Sequence, residues 1–107
     1  MLLSHLLAAA MIVPGPAVGA GGLTMRVDAD RLDVSAPAGA EALAGRIADE
    51  SRRFCAVHVE TVTPAHVGDR RMCERAMADA AVSALSPQQW RAFVRAGGAS
   101  ALRRAQR

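Results

Sequence analysis

The sequence has no lysine and no tyrosine, and its aromatic side chains are limited to one tryptophan and two phenylalanines. All thirteen basic residues are therefore arginine, a usage that reflects genome composition more than function. Three aromatics give no stacking platform for nucleic-acid bases, so a nucleic-acid partner is not expected. No apolar run approaches the ~20 residues that a membrane-spanning helix requires. There is no G-x-S-x-G, no H-E-x-x-H and no phosphate-cradling glycine loop, and no nucleophile stands beside a recognisable base. The expectation is a protein that is not an enzyme and carries no cofactor.

Charge is also missing from the beginning of the chain, where the first 25 residues carry no acidic or basic side chain apart from His5. Residues 6–13, LLAAAMIV, form a short apolar run, followed by Pro14, Pro16 and the small residues AVGAGG. This pattern reads as a secretory signal peptide over residues 1–20, with cleavage after Ala20 and Val18 and Ala20 at the small-residue positions. It implies a periplasmic or secreted protein. No cysteine lies near the cleavage point to carry a lipid. The remaining 87 residues include 19 alanines, which allow close helix packing but bury little area each. A domain of that size buries only somewhat over ~60% of its unfolded surface, so a covalent staple makes physical sense.

The patterning predicts a mainly α fold: a small disulfide-stapled helical domain over 21–98, one or two short strands, and a loose basic C-terminal tail over 99–107. Residues 23–28, LTMRVD, alternate in the strand manner, with Leu23, Met25 and Val27 on one side. Residues 57–62, VHVETV, alternate too and offer a pairing partner. Ser35 as cap and Pro37 in the first turn open a helix ending near Cys55. Its apolar face is Ala40, Leu43, Ala44, Ile47, Ser51 and Phe54. A second helix is expected over 66–85 with Cys73, Met77, Ala80, Ala81 and Ala84 on one face. Ser86, Pro87 and Gln89 mark a capping box for a third helix over 87–96, ended by Gly97 and Gly98.

The two cysteines lie in 55-CAVHVETVTPAHVGDRRMC-73, and three chemistries fit that segment. Cys55, His58, His66 and Cys73 supply four zinc-type ligands as C-x2-H-x7-H-x6-C, a spacing that matches no standard finger. A redox-active thiol pair is the second, although the C-x-x-C motif is absent. The third is a structural disulfide. One pair of cysteines in a small exported chain is the usual composition for it, and the bond would fasten two antiparallel helices. Closing a loop of that length stabilises by roughly 3 kcal/mol on a chain-entropy argument. Composition and placement favour this third reading.

A short strand, then 32-LDVSAPAG-39, an alanine-rich helix containing Arg46-Ile47 and ending in Arg53-Phe54-Cys55, and a second cysteine followed by 76-AMADAA-81 together resemble the UrcA family. These are small exported bacterial proteins, and the likeness covers about residues 23–84. The resemblance implies a signal peptide and two paired cysteines. It implies no established molecular activity and carries over no catalytic or ligand residues.

Two function classes remain. One is a structural or protein-binding module of the cell envelope. The other is a peripheral binder of anionic membrane surfaces, with Trp90, Arg91, Phe93, Arg95, Arg103 and Arg104 as the candidate contacts. Residues 91–107 support the latter with five arginines and no acid. The simpler alternative has Trp90 and Phe93 packing back onto the first two helices. A Cys/His metal or redox protein is the remote third class. The acids Asp28, Asp30 and Asp33 are expected to be solvated around a strand end rather than to form a catalytic or metal cluster.

Overall fold

Pro37 sets the start of the longest element. Its missing N–H costs nothing in a first turn, and Ala36 ahead of it is extended. The computed structural model describes residues 24–107, and four α-helices follow in order among them. They are α1 (Pro37–Val62), α2 (Arg70–Ser83), α3 (Pro87–Arg95) and α4 (Gly98–Ala105), with a 3-10 turn at Pro64–His66. The expected signal peptide, residues 1–20, and Leu23 of the expected first strand lie outside the described residues.

Helix α1 is the organising element, and both α2 and α4 pack along it. It buries Ala40, Leu43, Ala44, Ile47, Ala48, Ser51 and Cys55, close to the face read from the sequence. Ser35 is not its cap. The Ser35 hydroxyl instead donates to Asp33 Oδ1 at 2.5 Å, and the capping position falls to Ala36.

The 32–39 element has a physical reason for its glycine. The Asp33 carbonyl accepts from Ala36 N at 3.1 Å, and Asp33 Oδ1 accepts from Ser35 N at 3.0 Å. This folds the Asp33 backbone against the first turn of α1. A Cβ on Gly39 would overlap the Asp33 backbone. Only glycine admits that approach.

The second expected strand is not one: residues 57–62 continue α1, bent at His58 (φ −116°, ψ 18°). Cys55, Val59 and Val62 stand four and three residues apart, which is helical spacing. Cys55 and Val62 are buried, and Val59 packs on the same core. That burial outweighs the strand preference of Val57, Val59 and Thr61. Residues 24–29 form no regular element, and no strand occurs among the described residues. The alternation still describes their burial. Met25, Val27 and Ala29 are buried, whereas Thr24, Arg26 and Asp28 are exposed. The segment lies on α1, where Ser51 Oγ donates to Met25 Sδ at 3.8 Å and Arg46 Nη1 donates to the Asp28 carbonyl at 2.6 Å.

Helix α2 begins later than the sequence pattern suggests, because Asp69 caps it by accepting from Met72 N at 3.2 Å. It buries Cys73, Met77, Ala78 and Ala81, while Ala84 falls beyond its end and is exposed. Helix α3 opens with the expected capping box, Ser86 Oγ accepting from Gln89 N at 3.1 Å and Gln89 Oε1 accepting from Ser86 N at 2.9 Å.

Two adjacent glycines then reverse the chain for different reasons. Gly97 takes φ +89°, in the left-handed region, and a Cβ on Gly98 would overlap the Phe93 ring. Residues 98–105 form α4 and are no loose tail. Ala101 and Leu102 are buried, and Arg52 Nη1 on α1 donates to the Ala105 carbonyl at 2.9 Å. That bond satisfies a carbonyl at a helix end and sets a cation at the negative end of the helix.

Candidate functional site

Both sulfurs of the Cys-His segment are used within the fold. Cys55 on α1 and Cys73 on α2 form a disulfide with their Cα atoms 5.9 Å apart, and both side chains are fully buried. The C-x2-H-x7-H-x6-C set is thereby reduced to two imidazoles. The His58 ring meets the Phe54 ring at a tilt of 49° with centroids 4.6 Å apart, and His66 is exposed in the 3-10 turn. Among the described residues, no three His, Cys, Asp or Glu side chains are grouped to hold a metal ion.

Two of the three early aspartates hold the neighbouring chain through their carboxylates. Asp28 Oδ1 accepts from Asp30 N at 2.9 Å, and Asp33 Oδ1 accepts from Ser35 N and Ser35 Oγ. The Ser35 hydroxyl, and after it the Ser35 amide, hold the Asp33 carboxyl below its ordinary range. Such bonds stabilise turns and leave no carboxylate pair poised for acid–base work.

The surface that remains is α3. Its capping box fixes where the helix starts, and Phe93 anchors it with no exposed area. Trp90 and Val94 lie on either side of that anchor at helical spacing, 40% and 42% exposed. The expectation that both rings pack inward therefore holds for Phe93 and not for Trp90. Arg91 and Arg95 follow Trp90 and Val94 by one position each and are exposed. A groove of about 420 Å³ beside Trp90 is lined by Val82, Ser83, Leu85 and Pro87. Val94 was expected on the apolar side of this helix, whereas Val82 and Leu85 were not among the contacts expected from the sequence.

The expected contact set is divided by the fold. Trp90, Arg91 and Arg95 share α3, and Phe93 supports them from beneath. Arg103 and Arg104 stand on α4, and Arg103 lines a separate cleft with Arg71 and Arg75. Comparison with protein families, with curated protein sequences and with solved structures finds no match to this chain.

Proposed function

We propose that this chain is an exported, non-enzymatic binding module of the cell envelope, of the UrcA kind, and that the Trp90–Val94 ridge of α3 is its contact surface. The observation that carries this reading is the partly exposed tryptophan. The chain has only three aromatic residues, and it leaves its largest side chain 40% accessible beside an equally accessible Val94. Aromatic residues next to an apolar groove are the usual anchors of protein contacts. The 1–20 signal-peptide pattern supports export, and a disulfide is compatible with an oxidising compartment.

A photo-crosslinking residue at position 90, expressed in the envelope of the native host, tests this. The expected result is a discrete protein adduct from position 90 and none from position 57, where Val57 is 73% exposed on α1. Equal labelling from both positions, or none from either, overturns the reading.

The placement of Arg91 and Arg95 beside Trp90 and Val94 favours one second reading, contact with an anionic membrane surface. Trp90 is the only tryptophan, so its emission reports that contact alone. A blue shift with phosphatidylglycerol vesicles, lost in Arg91→Gln/Arg95→Gln, supports the membrane reading. Unchanged emission rejects it.

A further inference from the structure

A second feature, independent of the Trp90 ridge, lies at the other end of α2. Helices α2 and α4 both pack on α1 rather than on each other. The space between them is an open cleft of about 390 Å³. That volume is within the roughly 300–1,000 Å³ typical of small-ligand sites. Its lining is two rows. Arg71, Glu74 and Arg75 come from α2, and Arg103, Gln106 and Arg107 come from α4 and the turn that follows it. The α2 trio has i, i+3, i+4 spacing and shares one helical face, whereas Gln106 and Arg107 lie past the end of α4. Four guanidinium groups thus face a single carboxylate.

Three observations separate this cleft from an ordinary solvated surface. First, its arginines are not neutralised by the protein. The ion pairs among the described residues are Arg52–Asp49 and Arg53–Glu50, both within α1. Arg103 donates to Ser100 Oγ at 3.1 Å, a neutral partner. Second, Arg71 and Arg75 stand at i,i+4 spacing on α2, where like charges repel, and an anion bound between them relieves that repulsion; the helix end itself is already capped by Asp69. Third, the two rows of lining residues are 28 or more residues apart in sequence, Arg75 to Arg103, so the charge is gathered by the fold. Arginine identity alone carries no signal in a chain without lysine, but its placement does.

We propose that this cleft is a binding site for a multiply charged phosphate compound. Planar guanidinium groups on two facing walls suit phosphate oxygens, which accept paired N–H donors. Two walls call for a ligand with at least two anionic groups. Glu74 opposes a weakly charged anion, and Gln106 offers both an N–H donor and a carbonyl acceptor. The phosphate can belong to a soluble compound or to a phosphorylated lipid headgroup.

The test is calorimetric titration of the disulfide-intact protein with pyrophosphate and tripolyphosphate, with sulfate as the charge control. Co-sedimentation with vesicles containing phosphatidic acid, against neutral phosphatidylcholine vesicles, forms a parallel arm. Saturable binding of tripolyphosphate tighter than sulfate is expected. Arg75→Gln/Arg103→Gln should weaken it by about tenfold or more. Arg26→Gln/Arg31→Gln removes the same charge outside the cleft, at exposed positions, and should stay within about twofold of wild type. Glu74→Gln should tighten binding by about threefold, a gain that no unfolded variant can give. Binding confined to the vesicle arm, with the same ranking of variants, assigns the phosphate to a lipid headgroup. Equal losses in the two double variants, or no saturable binding to any probe, overturns the proposal.

Discussion

The two halves of this molecule hold together by different means. Helices α1 and α2 bury Leu43, Ile47 and Met77 among alanines and carry the buried Cys55–Cys73 bond. Helices α3 and α4 depend on one large ring, Phe93, seated against Gly98. The first half has both an apolar core and a covalent crosslink. The second has one large apolar anchor and no crosslink. Together they let so small and alanine-rich a chain support a fold.

The strongest way to break that comparison is Phe93→Ala. A fully buried Phe lost to Ala costs about 3–5 kcal/mol, a large share of a small domain's stability. Hydrogen exchange should show α3 and α4 losing protection first, while the crosslinked α1–α2 pair keeps more of its own. Uniform loss across all four helices would show that the halves are not separable.

Gly39→Ala comes next. The added methyl overlaps the Asp33 backbone, which cannot swing aside as a side chain can, and a cost of about 1–3 kcal/mol is expected. Chemical denaturation measures it. Gly45→Ala should do the opposite. No atom lies within 4 Å of a Cβ built there, so the helix gains about 1 kcal/mol. Nothing in the structure explains the glycine at that position.

The smallest effect concerns pH. The Asp33 carboxyl is held below its ordinary range by Ser35, so the stability it contributes is present above its unfolded pKa. That contribution is lost as pH falls from roughly 4 downward, through the lower folded value. Acid melting curves of wild type and Asp33→Asn should converge over that window. A constant separation between the curves contradicts the assignment.

Much of this was legible in the residues. The capping box at Ser86, the helix stop at Gly97, the apolar stripe of α1 and the burial alternation within 24–28 are local patterns, and the fold keeps each of them. Misread features depended on neighbours distant in sequence. Residues 57–62 alternate like a strand, but the core that receives Val59 and Val62 makes them helical. Residues 98–105 are eight residues rich in arginine and small side chains, too few to declare a helix by periodicity. Their order comes from Leu102 against the core and from Arg52 on α1. The division of the arginines between α3 and the α2–α4 cleft was likewise not readable along the chain, because it depends on which helices share α1.

The central claim is that the buried Cys55–Cys73 bond between α1 and α2 supplies a large share of the domain's stability. The most direct measurement is thermal unfolding of the purified protein with and without reductant, with intact mass recording the loss of the bond. The account predicts destabilisation of roughly 3 kcal/mol in the reduced protein, seen as a melting temperature lower by about ten degrees or more. Equal melting temperatures for the oxidised and the fully reduced chain would contradict it.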